Sequence, residues 1–261
     1  MSDIVVVKIG GSTLGRHDTT MADIADLHSR GFWPVVVHGG GPVINDWLKR
    51  LGVPTRFEEG LRVTDEASLE VVVAVLAGLI NKQIVASLQA AGVPAVGLSG
   101  ADGGMLHCRI ANEKLGFVGE VESVDPGPLV RVLLAGALPV VAPVGILSID
   151  SKPQAQLLNI NADAAAGSIA TAIRAGWLAF LSDVPGVLGA DGTVQQNLSA
   201  DDVARLRADG VIEGGMIPKV DACLQAAGAG CRAVILDGRA EHTLTSLIDG
   251  ETIGTVVGGR N

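Results

Sequence analysis

The chain has 261 residues, of which 48% are hydrophobic and 18% are charged. Intrinsic disorder requires low hydrophobicity together with high net charge, so this composition excludes a disordered chain. The formal net charge of −9 argues against a nucleic-acid partner, because such a partner requires clustered positive charge. Glycine occurs 35 times, nearly twice its average share of about 7%. This excess indicates many tight turns or close contacts between the backbone and a ligand.

Membrane, targeting and cysteine patterns bear on the compartment. The uncharged apolar run from Val132 to Ile149 contains Pro139 and Pro143. These prolines favour a helix end, a turn and a buried strand over a membrane span. The first residues do not form a signal peptide, and the three cysteines lack the CxxC spacing of a zinc site. We therefore expect a cytoplasmic protein with no membrane partner and no metal site.

Short β-branched runs alternate with helical patterns along the chain. The predicted strands are Ile4–Ile9, Pro34–His38, Pro94–Leu98, Leu138–Ala142, Trp177–Ser182 and Ala233–Leu236. The predicted helices are Thr20–Arg30, Val43–Leu51, Asp65–Ala91 (with Thr64 as N-cap), Ala162–Ala175, Ala200–Asp209 and Lys219–Ala229. This alternation predicts an α/β fold with an open, mainly parallel central sheet and helices on both faces. Arg56–Leu61 and His107–Val124 are predicted hairpins beside that sheet.

The residues that follow each predicted strand are the candidates for a site, because open α/β sheets bind ligands beyond the carboxyl ends of their strands. The first strand contains Lys8 and ends in Gly10 and Gly11. A lysine inside a strand of valines is rarely buried without a partner. It either reaches out of the sheet edge or points its ammonium group at an anion, which the N–H groups of the two glycines would also bind.

The second strand ends in the motif HGGGP, His38–Pro42. The proline suits a first helical turn, and the three glycines expose N–H groups at the start of a helix. One or two glycines would suffice for a tight turn, so the third favours contact with an anionic ligand. For His38, a hydrogen-bonded structural role is the favoured interpretation over a catalytic one.

Further polar residues stand before three of the predicted helices. Arg62 can hold a carboxylate through two hydrogen bonds, although a single arginine is more often a surface residue. Asn159, Asn161 and Asp163 are more polar groups than helix capping requires. Lys219 opposes the helix dipole unless an anion lies nearby. Together these residues predict a phosphorylated ligand, and phosphoryl transfer requires mainly positioning and charge stabilisation.

Taken in order, eight motifs resemble the amino acid kinase family, in particular its members that act on acetylglutamate. Each motif is weak alone, but the ordered set is specific and extends over essentially the whole chain. The motifs are KIGGS (Lys8–Ser12), VVVHGGGP (Val35–Pro42), GLRVTD (Gly60–Asp65), GLSGADGG (Gly97–Gly104), LGFVGEV (Leu115–Val121), NINAD (Asn159–Asp163), LSDVPGV (Leu181–Val187) and GGMIPKV (Gly214–Val220).

The resemblance implies the amino acid kinase fold in two lobes. Residues 1–175 would bind the amino-acid substrate and form the dimer contact, and residues 176–261 would bind ATP. The implied reaction is ATP-dependent phosphorylation of the side-chain carboxylate of N-acetyl-L-glutamate in arginine biosynthesis, with Mg²⁺ as cofactor.

The resemblance also implies a role for each matching residue. Lys8 and Lys219 would stabilise the transferring phosphoryl group, and Asp163 would hold the two lysines. Acetylglutamate would contact Gly40, Gly41, Arg62 and Asn159. ATP and its phosphates would contact Gly10, Gly11, Asp183, Val184, Pro185, Gly186, Val187, Leu188, Val211, Ile212 and Glu213.

Two alternatives to this function stay open at the level of the sequence. A sibling kinase that acts on aminoadipate attached to a carrier protein would need a basic face, and this acidic chain offers no obvious one. A non-catalytic regulator on the same fold would be indicated by loss of a lysine or of Asp163, and all three are present. Only seven residues precede Lys8, too few for the N-terminal helix that joins dimers in hexameric family members, so we expect a homodimer.

Overall fold

The computed structural model describes residues 3–10, 19–58 and 60–258. Its strands in these ranges are β1 (Ile4–Ile9), β2 (Trp33–His38), β3 (Phe57–Glu58), β4 (Leu61–Arg62), β5 (Ala95–Ser99), β6 (Leu106–Ile110), β7 (Val118–Val124), β8 (Leu138–Ala142), β9 (Val144–Ile149), β10 (Lys152–Ile160), β11 (Trp177–Ser182), β12 (Asn197–Leu198), β13 (Arg232–Asp237) and β14 (Thr255–Val257). Its α-helices are α1 (Thr20–Ser29), α2 (Gly41–Leu51), α3 (Glu66–Val73), α4 (Asn81–Ala90), α5 (Gly127–Leu134), α6 (Ala162–Ala172), α7 (Ala200–Ala208), α8 (Met216–Gly228) and α9 (Thr243–Ile248). A π-helical segment, Ala74–Ile80, joins α3 to α4, and the three together form one continuous long helix, Glu66–Ala90.

The main sheet has the strand order β12-β14-β13-β11-β1-β2-β8-β5. Neighbouring strands run parallel throughout, except that β14 is antiparallel to β13. The predicted α/β fold with a mostly parallel central sheet is therefore confirmed. All six residues of β1 are buried, as expected for a parallel strand that is covered on both faces.

Helices cover both faces of this sheet. Alternate side chains of β1 enter two different hydrophobic clusters, with Val6 on one face and Val5 and Val7 on the other. The Val6 face packs against α5, α6 and α8, and the opposite face packs against α1, α2, the long helix and α9. A Cβ atom on Gly167 of α6 would lie only 2.8 Å from the Cβ of Ala222 of α8, so glycine at this position allows the two helices to approach closely.

Smaller strand groups stand beside the main sheet. β6, β7, β9 and β10 close into a four-stranded barrel, and β3 pairs with β4. The hairpins predicted at Arg56–Leu61 and His107–Val124 correspond to the antiparallel pairs β3–β4 and β6–β7 and are confirmed. The pairing of β9 with β10 is not predicted by the sequence pattern, because the register shifts between Pro153 and Leu157 and breaks the two-residue alternation.

The start of the long helix differs from the prediction. Thr64 is not its N-cap; the Asp65 side chain accepts a hydrogen bond of 2.8 Å from the Ser68 N–H and caps the helix. The Thr64 hydroxyl instead donates to the Arg62 carbonyl at 3.0 Å. Thr64 is also paired with Gly116 through an isolated β-bridge. Its backbone therefore belongs to the strand region before the helix.

The helical stretch Glu66–Ala90 is, by length and composition alone, able to cross a membrane, and 44% of its most apolar window is buried. Its buried side, including Val72, Val75 and Ile84, packs in the core. Its opposite side exposes small residues such as Ala74 and Ala86 to solvent. The exposed positions of this helix also include the charged residues Glu70 and Lys82.

Candidate active site

Two lysines and one aspartate meet at the carboxyl edge of the main sheet. The Lys8 Nζ lies 2.7 Å from the Oδ1 of Asp163, and the Lys219 Nζ lies 3.1 Å from its Oδ2. Lys8 and Asp163 are 7% and 6% exposed, respectively. One carboxylate thus balances two ammonium groups, and the cluster retains an excess of positive charge that attracts anions.

The local sequence explains why Asp163 faces the lysines. Asn161 is the N-cap of α6, and its side-chain oxygen accepts hydrogen bonds from the N–H groups of Asp163 (2.8 Å) and Ala164 (3.1 Å). Because Asn161 caps the helix, the Asp163 carboxylate is free to pair with the lysines. Burial by itself would raise the pKa of Asp163, but the two ammonium groups outweigh it, so this pKa lies below its usual value.

Lys219 reaches the cluster from α8. The sequence predicts a helix from Lys219, but α8 begins at Met216, so Lys219 stands at the end of the first turn. Its Nζ also donates a hydrogen bond of 3.1 Å to the Gly215 carbonyl. The predicted conflict between a lysine and the helix dipole is therefore offset by a carboxylate from another helix.

A cavity of about 230 Å³ lies beside this cluster. It joins the ends of β1 and β2, the hairpin β3–β4, the long helix and the NINAD motif. Six predicted site residues line it: Lys8, Gly40, Gly41, Arg62, Asn159 and Asp163. The remaining lining is mostly apolar and comprises Gly39, Ile44, Phe57, Gly60, Leu61, Leu76, Val118, Pro143, Ile160, Asn161 and Ala162.

Arg62 is a buried cation at this cavity and not a surface arginine. It is 8% exposed, its Nη2 atom donates a 2.6 Å hydrogen bond to Asn45 Oδ1, and its guanidinium lies 4.9 Å from the Phe57 ring centroid. Its Nη1 atom is buried without a hydrogen-bond partner in the described part of the chain. Burial lowers the pKa of Arg62. A buried guanidinium without a described carboxylate partner is the donor that a bound carboxylate would satisfy.

The glycine turn after β2 presents backbone donors to the same cavity. The Gly39 N–H donates to the Ile9 carbonyl at 3.0 Å, and the Gly40 carbonyl accepts from the Ile44 N–H at 2.9 Å. The N–H groups of Gly40 and Gly41 make no hydrogen bond to any described residue. Gly41 is exposed, and a Cβ atom added to it would have no described atom within 4 Å, so a ligand can approach its backbone.

Asn159 lies at the end of β10, and its side chain is half-buried in the cavity wall. Its Nδ2 atom lies 3.1 Å from the Thr64 hydroxyl oxygen, to which it donates a hydrogen bond. This bond ties the NINAD motif to the segment that carries Arg62. The two motifs thereby form one wall of the cavity, although 95 positions separate the two bonded residues in sequence.

The residues predicted to bind ATP lie apart from the cavity lining. Gly10 follows β1, and its N–H donates to the Leu181 carbonyl at 3.3 Å. The loop of Asp183, Val184, Pro185, Gly186, Val187 and Leu188 follows β11, the neighbour of β1, so it begins at the same edge of the sheet. The predicted contact at Gly11 lies outside the described residues.

Two of the predicted ATP contacts have buried side chains. The Val187 side chain is 2% exposed, and its N–H donates to the Thr255 hydroxyl at 2.8 Å. The Ile212 side chain is also 2% exposed and packs in the core, whereas its neighbours Val211 and Glu213 are more accessible. Any ligand contact at Val187 or Ile212 would therefore involve their backbone.

His38 is fully buried beside the glycine turn, in agreement with a hydrogen-bonded structural residue. Its Nδ1 atom lies 3.0 Å from the Gly39 carbonyl oxygen, and its Nε2 atom lies 3.3 Å from Asn81 Nδ2. Burial lowers the pKa of His38 to about 4, with smaller contributions in the same direction from the charges of Lys8 and Lys82.

Sequence reasoning missed several residues that build the cavity. Asn45 and Phe57 hold Arg62, and Leu76 of the π-helical segment forms part of the wall. Asn45 lies on a helix and Leu76 resembles an ordinary core residue, so neither stands out in the sequence. Phe57 lies in the hairpin predicted at Arg56–Leu61, and Arg62 follows that range directly; this closeness in sequence is the one pattern that could have indicated a cation–aromatic contact.

Comparisons with known proteins agree with this architecture. Residues 3–237 match the model of the amino acid kinase family. An acetylglutamate kinase of Granulibacter bethesdensis is 48% identical over 273 residues, covering 98% of this chain and 90% of its own. An acetylglutamate kinase of Dehalococcoides mccartyi strain CBDB1 is 44% identical over 259 residues, which cover 99% of this chain and 95% of that protein.

Solved structures of other proteins share this fold at lower sequence identity. The smu.665 protein of Streptococcus mutans UA159 is 28% identical with a TM-score of 0.82, and the match covers 98% of this chain and 99% of that one. An N-acetylglutamate synthase of Neisseria gonorrhoeae, complexed with coenzyme A and N-acetyl-glutamate, is 25% identical with a TM-score of 0.82. That match covers 100% of this chain and 60% of that one.

The fold and the positively charged cavity at the carboxyl ends of its strands define an α/β protein equipped for an anionic ligand. The family model matches most of the chain, and the relatives match nearly all of it. The chain belongs to the amino acid kinase family. It is therefore a kinase and uses ATP.

The burial of His38 predicts a pH dependence of stability. Between pH 6.5 and about 4 the unfolded chain binds a proton at His38 that the folded chain does not. The free energy of unfolding should therefore decrease as the pH is lowered across this window, by up to about 3 kcal/mol from this residue. In His38→Asn this contribution is absent, so urea unfolding between pH 7 and 4.5 should give a flatter dependence.

The matched control for this measurement is His28→Asn, which changes a half-buried histidine on α1. If the free energy of unfolding depended equally on pH in His38→Asn and in the wild type, the lowered pKa of His38 would be contradicted.

Proposed function

We propose that this kinase transfers the γ-phosphoryl group of ATP to the side-chain carboxylate of N-acetyl-L-glutamate, which is a step of arginine biosynthesis. Relatives named acetylglutamate kinase that match nearly the whole chain support this substrate. The observation that carries it structurally is a cavity lined by Lys8 and Asp163 together with Arg62, whose Nη1 atom has no hydrogen-bond partner among the described residues. Such a cavity offers one site for a transferring phosphoryl group and one for a fixed carboxylate.

The chemistry requires little beyond charge and position. A side-chain carboxylate with a reference pKa near 4.3 is ionised at neutral pH, so it attacks phosphorus without a general base. Its oxygen bonds to the γ-phosphorus while the bond to the β–γ bridging oxygen breaks and ADP leaves. The principal obstacle is the repulsion between the carboxylate and the triphosphate, which positive groups fixed in advance reduce.

Each charged residue has a role in this proposal. Lys8 and Lys219 stabilise the negative charge on the transferring group, and Asp163 keeps their ammonium groups close together despite their mutual repulsion. Arg62 and Asn159 bind acetylglutamate, together with the N–H groups of Gly40 and Gly41. The apolar lining of the cavity suits the methylene and acetyl groups of that substrate.

We further propose that residues 1–175 form the substrate lobe and residues 176–261 the ATP lobe. All six predicted residues that line the cavity belong to the first range, and Lys219 is contributed by the second. ATP would bind along the Asp183–Leu188 loop and the Val211–Glu213 turn, with its phosphates directed towards Gly10 and Gly11. A cytoplasmic location fits a soluble metabolic substrate.

Mg²⁺ in this proposal enters as part of the substrate, in complex with ATP. The described residues contain no group of three or more His, Cys, Asp or Glu side chains that could hold a metal ion. Asp163 is already paired with two lysines. Mg²⁺ usually keeps several waters and is held by substrate phosphates with few protein carboxylates, so the nucleotide would supply most of its ligands.

The proposed substrate is tested by ATP consumption with acetylglutamate, glutamate, aspartate and aminoadipate offered separately. Acetylglutamate should give the highest kcat/KM. A higher value for any of the other three would overturn the assignment of substrate.

The lysines should act mainly on the transition state. We expect Lys8→Ala and Lys219→Ala each to lower kcat by at least about 100-fold, as for removal of one charge-stabilising donor. Steady-state kinetics measure this effect, with circular dichroism to confirm folding. Lys114→Ala, a change at an exposed lysine that does not line the cavity, is the control. A folded variant of either active-site lysine with wild-type kcat would remove that lysine from the mechanism.

Arg62 should instead determine the affinity for the amino-acid substrate. We expect Arg62→Ala to raise the KM for acetylglutamate by roughly tenfold to a hundredfold, because it removes a charge-assisted hydrogen bond. The KM for ATP should change far less. Arg56→Ala, at an exposed arginine just before the same hairpin, is the matched control. Equal increases in both KM values would indicate a displaced hairpin and not a lost carboxylate contact.

We also propose a homodimer formed through the exposed side of the long helix. This side carries the small residues Ala74, Gly78 and Ala86, and the neighbouring β5 is the edge strand of the sheet with Val96 38% exposed. Light scattering should give a mass near twice 26.6 kDa. Ala74→Arg should lower that mass, whereas Ala204→Arg on the exposed side of α7 should not. A mass near six times 26.6 kDa would contradict a simple dimer.

A further inference from the structure

The buried pair His38 and Asn81 has no part in the reaction proposed above. Both residues are fully buried. Asn81 is the first residue of α4, and its Nδ2 atom lies 2.8 Å from the Val140 carbonyl and 3.1 Å from the Leu98 carbonyl. These two carbonyls belong to β8 and β5, so Asn81 is fixed by the main sheet. Its Oδ1 atom accepts a 2.9 Å hydrogen bond from the Lys82 ammonium group.

These contacts define the hydrogen-bonding state of the imidazole. The carbonyl oxygen of Gly39 can only accept, so the His38 Nδ1 atom must carry a hydrogen and donate it. The Nδ2 atom of Asn81 cannot accept a hydrogen bond, and its two hydrogens also face the Val140 and Leu98 carbonyls, so a hydrogen on the His38 Nε2 atom would have no acceptor on Asn81. The surroundings therefore select the neutral Nδ1–H tautomer.

The hydrogen bond from His38 fixes one peptide unit of the glycine turn. The Gly39 carbonyl and the Gly40 N–H belong to the same peptide, and the described residues contain no cis peptide bond. In a trans peptide these two groups point in opposite directions. Holding the Gly39 carbonyl therefore sets the direction of the Gly40 N–H, which has no acceptor among the described residues.

The long helix restrains the same turn from the other side. A Cβ atom on Gly40 would collide with the side chains of Ile80 and Leu76, the second of them at 2.8 Å from Cδ2. Both contact residues belong to the π-helical segment that ends immediately before Asn81. Side chains thus pack against the Cα atom of Gly40, and a hydrogen bond holds the carbonyl of Gly39. Together they leave the peptide between these residues little freedom to rotate.

We propose that His38 is a positioning residue, which acts through the Gly39–Gly40 peptide to direct the Gly40 N–H at the anionic substrate. Asn81 supports it by selecting the tautomer that donates to Gly39. A donor on the carbonyl also polarises the peptide and strengthens its N–H as a donor. This inference rests on the proposed function and adds to it a residue that touches neither substrate nor nucleotide.

Kinetics of two His38 variants test the inference. His38→Leu keeps the volume of the side chain but removes the donor, and we expect a fall in kcat/KM for acetylglutamate of about tenfold to a hundredfold. The KM for ATP should change by less than about twofold. His38→Asn places an amide N–H close to the position of Nδ1–H, and it should recover most of the loss.

Leu88→Ala is the matched control for stability, because Leu88 is fully buried two helical turns after Asn81 on α4 and does not line the cavity. It should lower the melting temperature while leaving kcat/KM unchanged. Wild-type kcat/KM in His38→Leu would overturn the inference. So would an equal loss in folded His38→Leu and His38→Asn, because a merely structural role would not distinguish a donor from a methyl group.

A measurement on the unmodified protein covers the case in which the variants do not fold. Long-range ¹H–¹⁵N spectra of the histidine side chains report which ring nitrogen carries the hydrogen. We expect the Nδ1–H signature for His38, and the Nε2–H signature would overturn the inference. Absence of turnover with acetylglutamate in the wild-type enzyme would instead contradict the proposed function. The spectra would still report the tautomer of His38, because they do not depend on activity.

Discussion

The ion pairs between Lys8, Asp163 and Lys219 are the interaction on which the architecture of the site depends. The three residues come from β1, α6 and α8, which are far apart in sequence. Burial of a single charge is costly unless it is paired, so the buried Lys8 and Asp163 stabilise each other, and the half-buried Lys219 adds a second positive charge beside Asp163. The charged cluster is therefore complete only when the central strand and both helices have docked.

Much of the fold follows from sequence pattern alone. Continuous apolar runs such as Ile4–Ile9 identify buried parallel strands, because a strand covered on both faces needs no polar alternation. The small barrel is harder to predict. The first residues of β10 are exposed and its register with β9 shifts, so the local pattern does not distinguish it from a loop.

For the cavity, too, the sequence predicts some features and misses others. Lys8 and Lys219 attract notice as single residues because each breaks a local rule of burial or charge, whereas Arg62 and Asp163 are ordinary residues for their positions beside a helix start. Their assembly into one cavity depends on contacts between distant segments, such as the hydrogen bond from Asn159 to Thr64. Apolar wall residues, such as Leu76, cannot be separated from core residues by sequence, because both need only to be hydrophobic.

The close contact of Gly167 with Ala222 has a consequence for the charged cluster. Gly167 lies about one helical turn after Asp163, and Ala222 lies about one turn after Lys219. The contact between the two helices therefore determines the distance between α6 and α8 that the Lys219 side chain must span to reach Asp163. A bulkier pair would widen the gap and pull the ammonium group away from the carboxylate. Two of the smallest residues in the protein thus set the spacing of its opposite charges.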